Sequence, residues 1–289
     1  MNSPISKKRM GKKVLIFTDL DGTLLDYCTY SYGKALPALR YIRKRKIPLI
    51  ICSSKTRAEI EVYQKKLKNR HPFISENGGA IFIPCDYFKN IPSGLKKKNN
   101  YFVMELGMPY HIVRGKLMEI AGRCNQKIKG FGDMSAQEIH KKYGLQLEEA
   151  RLAKKREYDE PFDFLTLPDE KILRGMEKEF FKAGLRMVKG GRFFHLMGEN
   201  DKGKAVRWLK KIYEKEWKKK TISIGIGDSL NDLPLLLEID LPVVVKLPTG
   251  RYEEGVVKQL KDPFLTKGSG PEGWNEAVLQ ILRTVGEDN

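Results

Sequence analysis

VLIFTDLDGTLL, residues Val14 to Leu25, climbs through an apolar run and then sets two carboxylates, Asp19 and Asp21, one residue apart. A short apolar run without alternation reads as a strand covered on both faces, as the strands of a parallel sheet are. Gly22 permits the turn that follows, and the amides after Asp19 can face an anion. A carboxylate held at a strand end can act as a nucleophile toward phosphorus. A second one two positions along can then protonate the leaving oxygen and activate water.

Working outward, YGKALPALRYIRKRK (32–46) has apolar residues at helical spacing, and IPLIICSSK (47–55) reads as a second buried strand running into small polar residues. TRAEIEVYQKKLKNR (56–70) is a helix opened by Thr56, and PFISENGGAIFIP (72–84) gives two short strands about a glycine turn. This alternation predicts an α/β fold, a doubly wound and mostly parallel sheet. Near Asp86 the rhythm breaks into a lysine- and glycine-rich link. YFVMELG, a helix from Pro109, a charged helical stretch through Arg156, the strands FDFLTL, LRMVKGG and RFFHLMG, and a helix from Asp169 to Ala183 follow. The α/β rhythm then resumes with the helix KGKAVRWLKKIYEKEW (202–217), the strand TISIGIG, the helix LNDLPLLLEI and the strand LPVVVK. Residues 87–192 are therefore expected to form an inserted α+β domain, and residues 1–86 with 193–289 the sheet domain.

A chain of 289 residues is long enough for two domains with cores of their own. Its formal charge of +18, from 54 Lys and Arg against 36 Asp and Glu, suits an anionic partner. No basic cluster interleaves aromatics with base-reading side chains, so no nucleic-acid partner is expected and the lysines read as a solvated surface. A basic nucleic-acid-binding protein is the rival from another class, and salt-sensitive binding to RNA or DNA would mark it. Cys28, Cys52, Cys85 and Cys124 lie far apart with no CxxC pair, which fits a reduced, cytoplasmic setting. No segment approaches the roughly eighteen apolar residues of a membrane span, so no membrane partner is expected.

Three further predicted strand or helix ends carry polar groups. Ser53 ends the second strand, with Lys55 and Arg57 at the mouth of the next helix. Lys202 begins a helix, where a cation opposes the helix dipole and so calls for another reason to be there. Asp228 ends TISIGIG, and Asn231 and Asp232 follow. Taken singly these are a helix cap, a turn serine and a solvated lysine. Taken together on strand ends of one sheet, with Asp228 converging on Asp19, they describe a hard oxygen site suited to Mg²⁺.

In DLDGT, Ser53 after an apolar strand, Lys202 in DKGKA, and GDSLND, the chain resembles the haloacid dehalogenase superfamily. The resemblance implies a core of that kind with an α+β cap, as in the Cof-like branch, closing over the site. It implies Asp19 as nucleophile, Asp21 as general acid and base, and Ser53 and Lys202 as phosphoryl ligands. It further implies Mg²⁺ on Asp19, the Asp21 carbonyl and Asp228, with Asp232 as ligand or support. In SSKTRAE, SENGGAIFIP, GLQLEEARLAKKREYDEPF, GGRFFHLMG and GDSLNDLPLL the chain is similar to the mannosyl-3-phosphoglycerate phosphatases. That similarity implies a small phosphorylated glycoside as substrate, with the glucosyl compound as the alternative, in a monomer or homodimer. Lys55 and Arg57 are then expected at a glycerate carboxylate, Glu76 and Asn77 at sugar hydroxyls, and Arg151, Arg156, Glu157 and Glu160 of the cap at sugar or carboxylate. His195 is expected to be a satisfied strand residue. The basic N-terminus, the lysine-rich link and the C-terminal tail depart from the family pattern.

Overall fold

The computed structural model describes residues 12–190 and 193–285. Most of the basic N-terminal stretch, the GR pair between two expected strands and the last four residues lie outside the described residues. Strands β1 (Lys13–Thr18), β2 (Leu49–Cys52), β3 (Phe73–Ser75), β4 (Ala80–Pro84), β5 (Lys96–Lys98) and β6 (Tyr101–Glu105) come first, with helices α1 (Leu36–Lys44) and α2 (Arg57–Leu67) between the earlier ones. Helix α3 (Tyr110–Arg123), β7 (Ile128–Gly130), α4 (Ala136–Tyr143), α5 (Leu147–Ala153), β8 (Asp159–Phe164), α6 (Glu170–Lys182), β9 (Arg186–Lys189) and β10 (Phe194–Met197) follow. The chain closes with α7 (Lys202–Trp217), β11 (Thr221–Gly227), α8 (Leu233–Leu237), β12 (Leu241–Lys246), α9 (Glu254–Val257), β13 (Phe264–Ser269) and α10 (Gly270–Thr284).

Nine strands form one sheet in the order β13-β12-β11-β1-β2-β3-β4-β6-β5. From β13 to β3 it is parallel; β4, β6 and β5 add antiparallel pairs. Both faces are covered. Leu15 and Phe17 of β1 join Ile50 and Cys52 under α7 and α8, whereas Ile16 joins Ile51 and Ile224 under α1, α2 and α10. Strict alternation to opposite faces, with both faces apolar, is why the sequence shows a run and no period. β1 lies between β2 and β11, so the chain reverses direction across the sheet at β1, the place where such sheets open a ligand crevice.

A second, antiparallel sheet has the order β7-β8-β10-β9. Phe162 and Leu196 pack with Val113, Leu117 and Phe180 from α3 and α6 on one face of it. Sheet membership moves both expected domain boundaries. β5 and β6 belong to the large sheet, so the insertion begins after Glu105, and β10 belongs to the small one, so it ends with Met197. The lysine-rich link is in part an edge strand: Lys96 and Lys98 both meet Glu105, at 2.5 and 2.6 Å, and charges there discourage further strand pairing. The C-terminal tail is integral. α10 buries Trp274 completely, and its indole Nε1 donates to Thr18 Oγ1 at 3.0 Å, directly beneath Asp19.

Candidate functional site

Asp19, Ser53, Glu76 and Asp228 directly follow β1, β2, β3 and β11, so their side chains meet along the carboxyl edge of the sheet. The Asp19 amide donates to the Ile226 carbonyl at 2.9 Å, which ties the end of β1 to β11. Asp201 caps α7 by accepting from the Lys204 amide, and Lys202 is fully buried at the first turn. Its ammonium contacts Asp19 Oδ1 at 2.7 Å and Asp232 Oδ1 at 2.6 Å. These two carboxylates supply the reason for a cation at a helix start.

Asp19, Asp228 and Asp232 each present a carboxylate oxygen within 4.8 Å of the others. Burial is the largest influence on Asp19 and raises its carboxyl to about 7 against the pull of Lys202, with Asp232 and Asp21 adding to the rise. Burial followed by Asp232 and Asp19 raises Asp228 well above the carboxylate range. Three buried acids around one lysine are short of positive charge, so the arrangement suits a hard cation. Asp232 is fully engaged: Oδ1 takes Lys202, and Oδ2 accepts from the amides of Asp228 and Ser229 at 3.1 and 3.2 Å. Thr23 Oγ1 donates to Asp228 Oδ1 at 3.2 Å, while no hydrogen bond reaches Asp19 Oδ2 or Asp228 Oδ2 among the described residues. Asp19 and Asp228 therefore offer open ligand atoms, and Asp232 shapes the loop. Gly22, at φ +78°, lies so close that a Cβ there would stand 2.6 Å from Asp228 Oδ2.

Asp21 Oδ2 meets Lys55 at 3.0 Å, and its Oδ1 is buried without a partner. Ser53 is buried, and its Oγ accepts from the Lys55 amide at 3.2 Å, leaving the hydroxyl hydrogen available. Asp21 and Ser53 are thus both tied to Lys55.

The residues expected at the organic part of a substrate fare differently. Lys55, 6% exposed, is committed to Asp21 and to Glu59 at 3.5 Å. Arg57 pairs with Glu61 at 3.0 Å and with Glu157 at 3.1 Å, so it joins core to cap. Glu76, expected at sugar hydroxyls, instead accepts from the backbone amides of Glu157, Tyr158 and Asp159 at 2.8 to 3.1 Å. Its carboxyl is raised to about 8 because burial outweighs those donors and Arg156. Arg151 does not reach the site; it is exposed on α5 and pairs with Glu148. Glu160 turns to the far face, where it accepts from Arg114 and the Gly132 amide. Arg156 remains: its Nη1 donates to the Ser54 carbonyl at 2.8 Å and its Nε is buried with no partner, at the seam between core and cap.

Asp159 escaped sequence reasoning, and so did the link it makes among Asn231, Asn77 and His195. Asn231 Nδ2 donates to Asn77 Oδ1 at 3.0 Å, Asn77 Nδ2 donates to Asp159 Oδ2 at 2.8 Å, and Asp159 Oδ1 stands 2.9 Å from His195 Nδ1. This buried chain runs from the Asp228–Asp232 loop into the cap. Asn77 holds φ 54°, and a Cβ on Gly78 would strike the Asp201 carbonyl at 2.2 Å, so the turn after β3 is pressed against the start of α7. ENGG was the available signal, legible as a special turn but not as a latch.

Fold and site together define a capped α/β hydrolase with an acidic, lysine-centred pocket at the sheet's switch point. The chain belongs to the haloacid dehalogenase-like hydrolase family, whose model matches residues 16–247. It is 47% identical over 270 residues, 93% of this chain and 97% of the relative, to a glucosyl-3-phosphoglycerate/mannosyl-3-phosphoglycerate phosphatase of Methanococcoides burtonii. It is 36% identical over 231 residues, 80% of this chain and 90% of the relative, to a mannosyl-3-phosphoglycerate phosphatase of Pyrococcus furiosus. A solved haloacid dehalogenase-like hydrolase from Bacteroides thetaiotaomicron shares the fold, with a TM-score of 0.63 at 19% identity over 93% of this chain and 100% of that one.

Proposed function

We propose that this protein is a Mg²⁺-dependent phosphatase of glycosylated 3-phosphoglycerates. It releases phosphate from 2-(mannosyl)-3-phosphoglycerate to leave mannosylglycerate, a compatible solute, and takes the glucosyl compound as a second substrate. The chemistry rests on one observation, the fully buried Lys202 held between Asp19 and Asp232 at the end of β1. The choice of substrate rests on the relatives in Methanococcoides burtonii and Pyrococcus furiosus.

Asp19 attacks phosphorus through a carboxylate oxygen, giving an aspartyl phosphate, and the P–O bond to the glycerate breaks. Asp21 hands a proton to that departing oxygen and then takes one from the water that cleaves the acyl phosphate, which restores Asp19. Lys202 keeps Asp19 ionised and, with the Ser53 hydroxyl, holds phosphoryl oxygens. Asp19, Asp228 and the Asp21 carbonyl would hold Mg²⁺, with Asp232 positioning the loop. When bound, the cation supplies positive charge against the phosphoryl oxygens. The glycerate carboxylate falls to Arg156, whose Nε has hydrogen-bonding capacity to spare.

A cytoplasmic setting agrees with four cysteines that are all unpaired. Among the described residues no helix is long and apolar enough to cross a membrane.

The test is phosphate release from both glycosides with Mg²⁺, with EDTA, and with Asp19→Asn. Activity that needs both the metal and Asp19 supports the reading. A variant as active as the parent refutes the mechanism, and inactivity on both glycosides refutes the substrate.

A further inference from the structure

In β10, Phe194 and Leu196 point to the helices of the cap, so His195 points the other way, as Asp159 does from the neighbouring β8. That face is turned to the core, because Asn77 of the core reaches Asp159 and β9 of the same sheet packs against Leu230–Asp232. His195 is 3% exposed. Its Nδ1 is taken by the Asp159 carboxylate, 2.9 and 3.0 Å from its two oxygens. Its Nε2 has no hydrogen-bond partner among the described residues. Asp159 itself is fully buried; burial opposes its charge, but His195 and Arg156 hold the carboxyl below its ordinary value. An ionised Asp159 can only accept, so Nδ1 is the donor and Nε2 is the ring nitrogen left to bond a ligand.

We propose, resting on the phosphatase reading above, that His195 reads the glycosyl group through a hydrogen bond between Nε2 and a sugar hydroxyl, with Asp159 and Asn77 fixing the orientation of its ring. Its ring is locked through a chain of hydrogen bonds to the Asp228–Asp232 loop, and Nε2 is left without a protein partner among the described residues. A hydroxyl in the right place therefore satisfies it at little ordering cost, and a ligand without one leaves it unpaired. Arg156 at the same seam takes the anionic end of the ligand, and His195 the neutral one.

The test uses His195→Asn, which keeps a donor for Asp159 but deletes the Nε2 position, and His195→Gln, which places an amide near that position. Both are assayed on mannosyl-3-phosphoglycerate, glucosyl-3-phosphoglycerate and p-nitrophenyl phosphate, which has no sugar. We expect His195→Asn to raise KM for the preferred glycoside about tenfold relative to its effect on p-nitrophenyl phosphate, with kcat less affected and His195→Gln recovering part of the loss. Proportional losses on all three compounds would reveal a structural role and overturn the proposal, as would an unchanged KM on both glycosides. If the unmodified protein instead hydrolyses p-nitrophenyl phosphate and another sugar phosphate but neither glycoside, the substrate reading alone fails. The same ratio measured on that sugar phosphate then decides for or against His195.

Discussion

The two sheets solve opposite problems. The large one is apolar on both faces and gathers its buried charges at its carboxyl edge, where Lys202 is surrounded by Asp19, Asp232 and, nearby, Asp228. The small one is apolar on one face only, and its other face meets the core through Asp159, His195 and backbone amides that dock on Glu76. In the first, burial raises carboxyl groups against a single cation. In the second, carboxylates are met by donors: Glu76 by three cap amides, and Asp159 by Asn77 and His195. A site that must do chemistry is left electrostatically short, whereas the surface that docks and selects spends most of its polar groups on joining core to cap and keeps Arg156 Nε and His195 Nε2 free of protein partners among the described residues.

Lys202→Ala should break this contrast most severely. It leaves three buried carboxylates without their counter-charge, so we expect turnover to vanish and unfolding free energy to fall by about 3–5 kcal/mol, measured by phosphate release and urea titration. Asp19→Asn should abolish turnover by at least about a thousandfold while leaving the metal-free melting temperature unchanged or higher, because it relieves crowding around Lys202. A fall in melting temperature would show that the edge is not short of positive charge.

Glu76→Gln tests the docking side. Weakening the acceptor for three cap amides should cost about 1–3 kcal/mol and raise KM more than it lowers kcat. The same variant sharpens a pH argument. Glu76 has a folded value near 8, above its ordinary one, so its contribution is complete at acid pH and lost as pH rises through 8. His71, half-buried with its Nδ1 2.5 Å from the Tyr87 hydroxyl, is lowered to about 4 by desolvation, so its contribution is present above about 6.5 and lost as pH falls through 4. Melting temperature against pH should therefore fall at both ends, and Glu76→Gln should flatten only the alkaline limb. The smallest effect belongs to Arg151→Ala: an exposed pair with Glu148, away from the site, should leave KM, kcat and melting temperature at parental values.

Much of the molecule was legible. Val14–Thr18 and Leu49–Cys52 announced strands buried on both faces, and Asp19, Asp21, Ser53, Lys202 and Asp228 each stood beside an element end, so local pattern alone predicted their meeting. The cap contacts were harder to read. Glu76 and Asn77 looked like sugar ligands because an acid and an amide at a strand end are ambiguous until the opposing backbone is known. Lys55 and Arg57 looked free because their carboxylate partners are near in sequence only for Glu59 and Glu61; Asp21 and Glu157 come from elsewhere. No element is legible after LPVVVK, though Trp274 of α10 supports the residue before Asp19 from 256 positions away.

The sequence by itself determined the doubly wound core, the presence of an insertion and the acidic, lysine-bearing edge, because each depends on periodicity or on position relative to one strand end. Only the tertiary structure decided where the insertion begins and ends, which cations are already spent on carboxylates, and that Asp159 links His195 to Asn77. Those outcomes depend on pairing between segments far apart in the chain, and strand pairing and hydrogen-bond satisfaction are properties of neighbours in space that no local pattern encodes.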